Sequence, residues 1–278
     1  MKLISLVLGL LLAGCISLPT PDERRHSADA EAQRHGWMPW RLSAGDFTLM
    51  AYLPVTPSPT DHLSIYIEGD GLAWITGTQP SSDPTPRTPL ALHLALAQPD
   101  GAAAYLGRPC QYVNAETTQC PSRYWKEARF APEVIAGANQ AVNALKLRFG
   151  AKRLTLVGYS GGGAVAALVA VRRDDVETLV TVAGNLDHQA WTTYHRIQPL
   201  TGSLNPLKYS ANLNAIRQVH FTGGKDDNIT PELLKGFADR FPATERLTII
   251  VEPQFDHLCC WAKAWPRLVA YFQHHASD

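Results

Sequence analysis

Hydrophobic segments of two lengths alternate along most of the chain. Short apolar runs of strand length lie at residues 47–53, 63–67, 102–106, 153–157, 179–182, 218–222 and 247–251. Longer segments with helical spacing lie at residues 90–97, 132–149, 162–171, 231–241 and 260–274. The short runs are rich in Val, Ile and Leu, which is typical of strands buried on both faces. This alternation predicts an α/β fold, with a mainly parallel central sheet and helices on both faces.

No stretch of linker composition interrupts residues 37–278, so we predict a single domain there. Residues 185–215 are irregular and carry apolar and aromatic side chains. The larger of these are Trp191, Tyr194, Leu200 and Tyr209. They fit either a short lid-like insertion over an acyl or aromatic group, or a loop packed against the edge of the sheet.

The amino terminus has the pattern of an export signal. Lys2 precedes an apolar run at residues 3–12, which is about half of the roughly 20 residues that a membrane-spanning helix needs. The run ends in Leu12-Ala13-Gly14-Cys15, which resembles the lipobox of bacterial lipoproteins. A plain signal peptide is the alternative.

The lipobox resemblance implies that residues 1–14 are removed and that Cys15 is the lipidated amino terminus. Ile16 in place of Asp implies an outer-membrane location, on the periplasmic side of the cell envelope. Residues 15–36 then form the lipidated terminus and a polar tether.

Composition excludes two broad classes. Lys and Arg number 25, as do Asp and Glu, so the formal charge of zero argues against a nucleic-acid partner. A hydrophobic content of 45% with 18% charged residues excludes a disordered chain.

An exported protein can form disulfides. Cys110 and Cys120 would close a short loop, and we predict that they are bridged. Cys259 and Cys260 would then be either a vicinal pair or two buried thiols. No Cys-x-x-Cys pair is present, and we predict neither a metal nor an organic cofactor.

A candidate nucleophile follows the strand predicted at 153–157. Gly158-x-Ser160-x-Gly162 lies between that strand and a helix of small residues, which is the context of a nucleophile elbow. The glycines are needed because side chains at those positions would collide with the neighbouring strand and helix. A phosphate loop is excluded because no Lys-Ser or Lys-Thr follows Gly163. Ser160 replaces the middle glycine of a dinucleotide fingerprint, so that assignment fails too.

A serine nucleophile needs a base, and the base needs an acid. His257 follows the last predicted strand and is the candidate base. Residues 226–231, Asp-Asp-Asn-Ile-Thr-Pro, follow the strand at 218–222. They resemble the Gly-x-x-Asp-x-Val-x-Pro turn that carries the acid in α/β-hydrolases, and the match indicates Asp227. Asp226 and Asp187 are the alternatives, and either residue of the Asp226–Asp227 pair could instead cap the following helix.

The order Ser160, Asp227, His257 is the order of the α/β-hydrolase superfamily, which the chain resembles over about residues 45–275. Three shorter motifs are similar to those of proteobacterial α/β-hydrolase lipoproteins. They are Glu68-Gly69-Asp70-Gly71, Arg108-Pro109-Cys110-Gln111-Tyr112 and His257-Leu258-Cys259-Cys260-Trp261.

The superfamily resemblance implies an oxyanion hole made by the backbone N–H groups of Gly161 and Asp70, with Gly71 as an alternative to Asp70. The usual His-Gly-x of this loop is Glu68-Gly69-Asp70 here. A carboxylate beside the hole would repel the developing negative charge unless its side chain points away. Alternatively, both carboxylates are simply bonded to backbone groups or to Arg108.

These features together predict a serine hydrolase that cleaves carboxylic esters through an acyl-enzyme. A small-molecule or lipid ester, such as a lysophospholipid at the membrane surface, fits the expected location. A thioesterase or an acyltransferase would use the same three residues. A binding lipoprotein that keeps the fold without turnover is the alternative of a different class.

Overall fold

A computed structural model describes residues 18–113, 120–242 and 245–273. Its strands are β1 (Trp37–Ala44), β2 (Phe47–Pro54), β3 (His62–Ile67), β4 (Ala102–Leu106), β5 (Arg153–Tyr159), β6 (Val176–Val182), β7 (Arg217–Gly223) and β8 (Leu247–Glu252). Its α-helices are α1 (Pro21–Arg34), α2 (Leu90–Leu96), α3 (Pro132–Phe149), α4 (Gly161–Ala170), α5 (His188–Tyr194), α6 (Ser210–Leu213), α7 (Pro231–Ala238) and α8 (Trp261–Gln273).

The strands form one sheet in the order β1-β2-β4-β3-β5-β6-β7-β8. The pairs from β4 through β8 are parallel, whereas β1 and β2 form an antiparallel hairpin at one edge. Core residues of α3, α4 and α7 pack on one face of the sheet, and those of α1, α2 and α8 pack on the other. The predicted α/β class and mainly parallel sheet are confirmed.

The carboxyl ends of the parallel strands meet at one edge of the sheet, where ligands bind in open α/β folds. Glu68 follows β3 directly, and Ser160 follows β5 directly. Asp226 lies three residues after β7, and His257 lies five residues after β8. The fold therefore brings four segments that are distant in sequence to a common edge.

The tether predicted at residues 15–36 is wrong over most of its length, because residues 21–34 form α1. Thr20 and Glu23 make a capping box at the start of this helix. Arg24 is buried and forms an ion pair with Asp83 at 3.3 Å, while Tyr52 donates a hydrogen bond to Asp29 at 2.7 Å. These polar contacts, together with the buried Ala28 and Ala32, hold the helix to the domain, so its sequence shows no broad apolar stripe. The proposed signal at residues 1–14 and Cys15 lie outside the described residues.

The segment at residues 185–215 is more regular than predicted. It contains α5, a 3₁₀ turn at Pro206–Tyr209 and α6. Leu200 is buried and Tyr209 packs against the core, which favours the packed-loop alternative for this part of the segment. Trp191, on α5, is half-buried and reaches the carboxyl edge of the sheet.

Both pairs of cysteines in the described residues are bonded. Cys110 and Cys120 form the predicted disulfide, with Cα atoms 5.7 Å apart. Cys259 and Cys260 form a vicinal disulfide across a cis peptide bond, which is one of the two states left open by the sequence. Among the described residues, no helix has both the length and the apolar character needed to span a bilayer.

Candidate active site

Ser160 occupies a sharp turn between β5 and α4. Its φ is +51° and its ψ is −121°, a conformation that L-residues rarely adopt. Its N–H donates to the carbonyl of Val182 at 3.0 Å, which fixes the turn to the neighbouring strand. A Cβ on Gly158 would lie 2.3 Å from the carbonyl oxygen of Gly162, so the turn closes only with glycine there. This is the geometry expected of a nucleophile elbow.

His257 lies between the serine and a buried carboxylate. Its Nε2 is 3.1 Å from Oγ of Ser160, and its Nδ1 is 2.9 Å from Oδ2 of Asp226. An ionised carboxylate can only accept, so Nδ1 carries the proton and the lone pair of Nε2 faces Ser160. The hydroxyl of Tyr159 also donates to the carbonyl of His257 at 3.2 Å, which holds the loop after β8 against the elbow.

The carboxylate that contacts His257 belongs to Asp226, and the prediction of Asp227 is wrong in this geometry. The Asp226 side chain is fully buried. Its Oδ1 accepts the N–H groups of Asn228 at 2.9 Å and Ile229 at 2.8 Å, which leaves Oδ2 facing the imidazole. Asp227 is exposed.

The helix-cap role that Asp226 or Asp227 could have had is taken by another residue. Thr230 caps α7, because its hydroxyl accepts from Leu233 N at 3.4 Å. Asp187, the third candidate for the acid, caps α5 instead, where it accepts the N–H groups of Gln189 and Ala190. Neither Asp226 nor Asp227 is therefore needed as a helix cap.

Two backbone N–H groups beside Ser160 are available as donors. Within the part of the chain that the structure describes, neither the N–H of Gly161 nor that of Asp70 has a hydrogen-bond acceptor. Both residues adjoin the elbow, because a Cβ on Gly161 would lie 2.1 Å from Oδ1 of Asp70. The two residues predicted for the oxyanion hole are thus brought together.

The Asp70 carboxylate does not point away from the elbow. Its negative charge is instead balanced by two arginine side chains. Arg108 contacts its Oδ1 at 3.3 Å and Arg129 contacts its Oδ2 at 2.5 Å. Burial raises the pKa of Asp70, but the Arg129 and Arg108 guanidiniums outweigh it and hold that pKa below its ordinary value. Two cations on one carboxylate leave a net positive charge beside the candidate oxyanion hole.

We expect Arg129→Met to lower kcat for an ester roughly 100-fold, because the cluster then loses its net positive charge. A unit charge at about 6 Å and an effective dielectric constant of about 20 accounts for that factor. Asp70→Asn added to Arg129→Met restores the charge balance and should recover at least about ten-fold in kcat. Steady-state kinetics on variants of equal melting temperature check this, and a double variant no faster than Arg129→Met would contradict it.

Hydrogen bonds from buried side chains stabilise the loop that carries Gly69 and Asp70. Gln111 donates to the carbonyl of Gly69 at 2.9 Å and accepts the N–H of Arg108 at 3.0 Å. Glu68 is buried beneath the loop, where it accepts the N–H of Gly69 at 2.9 Å and the hydroxyl of Tyr105 at 3.2 Å. Burial raises the pKa of Glu68 to about 7.

This raised pKa makes the free energy of unfolding depend on pH. The native state holds a proton on Glu68 up to about pH 7, whereas the unfolded chain releases it near pH 4.5. The contribution of Glu68 to the free energy of unfolding is therefore greatest below pH 4.5 and is lost as the pH rises towards 7. We expect Glu68→Gln to abolish this fall, which amounts to roughly 3 kcal/mol. Urea unfolding between pH 4.5 and 8 measures it, with Glu245→Gln at an exposed position as the control. An equal fall in both variants would contradict the assignment.

Arg129 and Asn228 also belong to the site, and neither is among the residues that the sequence predicts for it. Arg129 lies in a turn before α3 with no motif around it, so no local signal could have found it. Asn228 lies inside the turn at residues 226–231 that resembles the acid turn of α/β-hydrolases, and its position two residues after Asp226 was the available signal. Arg108 was anticipated as a partner of the loop carboxylates, and it does bond Asp70.

Comparison with known proteins gives likenesses in structure only. No protein-family model matches the chain, and no curated protein matches it. An esterase from Pyrococcus furiosus superposes with a TM-score of 0.56 at 14% identity, covering 92% of this chain and 93% of its own. An esterase domain from Rhodothermus marinus gives 0.56 at 14% identity, over 84% and 97% of the two chains.

A third likeness concerns an α/β serine hydrolase without a lid from Xanthomonas campestris. It gives a TM-score of 0.55 at 12% identity, over 85% of this chain and 94% of its own. Likenesses at this level of identity show that the chain has the α/β-hydrolase fold, as the sequence predicts.

Proposed function

We propose that the chain is a serine hydrolase that cleaves carboxylic esters through an acyl-enzyme. The observation that carries this proposal is the continuous path of hydrogen bonds from Ser160 through His257 to Asp226, with contacts of 3.1 and 2.9 Å. A second support is the pair of N–H groups beside the same serine, on Gly161 and Asp70, that have no acceptor among the described residues. The described fold is also that of proteins named as esterases.

The first half of the proposed reaction forms the acyl-enzyme. Oγ of Ser160 attacks the ester carbonyl carbon, and its proton passes to Nε2 of His257. The N–H groups of Gly161 and Asp70 bind the oxyanion, and the net positive charge of the Arg108–Arg129–Asp70 cluster stabilises it further. The carbon–oxygen bond to the alcohol then breaks, and Nε2 returns the proton to the departing oxygen. Asp226 holds the imidazole in the productive tautomer and stabilises its charged form.

The second half releases the acid. Water attacks the acyl carbon while Nε2 of His257 takes one of its protons. As the intermediate collapses, the bond between the acyl carbon and Oγ breaks and Nε2 returns that proton to Oγ of Ser160. Ester and water are thereby converted to alcohol and acid, and Ser160 is regenerated.

A fluorophosphonate probe tests the proposal directly. We expect the full chain, purified in detergent, to be labelled at Ser160, with the modified peptide located by mass spectrometry. Labelling should be lost after heat denaturation and in His257→Ala. A folded sample that is not labelled would reject the hydrolase and favour a binding protein on this fold.

We further propose that the substrate is a lipid or lysophospholipid ester and that the protein is anchored in the bacterial outer membrane through Cys15. The support is the apolar run at residues 3–12 followed by the lipobox-like motif. Metabolic labelling with an alkyne fatty acid should modify the wild type and not Cys15→Ser. A wild type that stays unlabelled, or a Cys15→Ser variant that is labelled like it, would reject the anchor.

A further inference from the structure

Asn228 and the candidate nucleophile Ser160 both contact the same ring nitrogen of His257. Its Nδ2 lies 3.1 Å from Nε2 of His257, the nitrogen that is also 3.1 Å from Oγ of Ser160. Asn228 belongs to the same turn as Asp226, so this turn contacts both sides of the imidazole. One ring nitrogen faces the carboxylate and the other faces the amide.

The orientation of the Asn228 amide is fixed by α5. Its Oδ1 is 3.0 Å from Nε1 of Trp191, and an indole N–H can only donate. The amide oxygen must therefore face Trp191, and the amide nitrogen must face His257. His195, at the end of the same helix, places its Nε2 2.7 Å from the backbone carbonyl of Asn228. The helix thus holds Asn228 at both its side chain and its backbone.

This orientation matters for proton transfer. In the resting site, the Asn228 amide donates to the Nε2 lone pair of His257, which Ser160 must also use. Once Nε2 carries the proton from Ser160, two donors face each other, because the acceptor oxygen of Asn228 is turned towards Trp191. The amide can therefore donate a hydrogen bond to the resting imidazole, but it has no acceptor for the imidazolium that forms during the reaction.

We propose that Asn228, with its amide fixed by Trp191, is a positioning residue whose donor competes with Ser160 for the Nε2 lone pair of His257 and so slows acylation of Ser160. This inference rests on the proposed hydrolase function. Substitutions that remove the donor, or that free the amide to rotate its oxygen towards Nε2, should accelerate the proton transfer. The expected gain is about five-fold, the value of one ordinary hydrogen bond.

A double-variant cycle tests the coupling. The rate of fluorophosphonate acylation is measured for Trp191→Phe, Asn228→Ala and the double variant, with Trp37→Phe on edge strand β1 as the matched control. We expect each single variant to react about five-fold faster than wild type and the double variant to match Asn228→Ala, because Trp191 affects acylation through the amide. Phenylalanine keeps an aromatic ring for Arg129, which lies 5.8 Å from the centre of the Trp191 ring. Rates that are unchanged or slower in either single variant, or gains that multiply in the double variant, overturn the proposal.

A spectroscopic readout separates this role from a general effect on packing. In long-range proton–nitrogen spectra of the unreacted protein, Nε2 of His257 should move to higher frequency in Asn228→Ala while Nδ1 stays in place. An unmoved Nε2 resonance overturns the proposal. If even the wild type fails to react with the probe, the hydrolase assignment is what fails, and the spectrum still reports whether Asn228 donates to His257.

Discussion

Ser160→Ala is expected to lower kcat for ester hydrolysis by about 10⁴- to 10⁶-fold and to abolish fluorophosphonate labelling. The proposed acyl-enzyme needs an oxygen nucleophile at the elbow, and alanine has none to offer. Residual turnover would come from the oxyanion donors and from substrate positioning, which act without the nucleophile. Initial rates with a chromogenic ester, at enzyme concentrations high enough to detect the residual rate, measure the loss.

The fold should survive this substitution, because the described side-chain hydrogen bond of Ser160 is the one to His257. A melting temperature within a few degrees of wild type is the control, and Ser210→Ala on α6 serves as a matched serine variant that should keep full activity. Hydrolysis retained in Ser160→Ala, by protein free of contaminating esterase, would reject Ser160 as the nucleophile.

Asp226→Asn is expected to lower kcat by about 10⁴-fold, whereas Asp227→Asn should change it by less than about three-fold. The reason lies in the turn itself. Oδ1 of residue 226 accepts two backbone N–H groups, so an asparagine there would keep its oxygen on those groups. Its amide nitrogen would then face Nδ1 of His257. An amide donor at that place moves the imidazole proton to Nε2, where it blocks acceptance of the serine proton.

The two variants have the same composition and the same net charge, so a difference in kcat between them reports only which of the two positions is substituted. Steady-state kinetics on both, with circular dichroism as the check on folding, decide between them. A large loss in Asp227→Asn together with near-normal Asp226→Asn would restore the acid that the sequence favours.

The strand–turn–helix around Ser160 could be predicted because its requirements are local. Gly158 and Gly162 are demanded by the backbone of the turn itself, and the flanking apolar runs reveal the strand and the helix. The order of the three candidate residues could be predicted for a similar reason, since each follows its own parallel strand. Local requirements of this kind are visible in one sequence.

The sequence favours Asp227, one residue away from the aspartate that contacts His257, because contacts outside the local sequence decide between Asp226 and Asp227. Both fit the turn, and the one that faces His257 is selected by hydrogen bonds from Asn228 and Ile229 and by burial against the loop after β8. Arg129 and Trp191 contribute through contacts with residues far away in sequence. The helix α1 escaped prediction because its buried positions are two alanines, Ala28 and Ala32, and the ion-paired Arg24, which together make no broad apolar stripe.

The docking of α1 sets how the molecule would stand on a membrane. Five residues, 16–20, separate Cys15 from the start of α1, and even fully extended they reach only about 17 Å. On the proposal that Cys15 carries lipid, the whole domain is confined to a shallow layer above the bilayer. Arg24 fixes α1 to Asp83, and the adjoining Pro84 accepts the N–H of Leu72, two residues beyond Asp70. On the same proposal, the lipid anchor would join the domain through a helix bonded to the segment that contacts the Asp70 loop, and the site would sample the lipid headgroups around its own anchor by lateral diffusion.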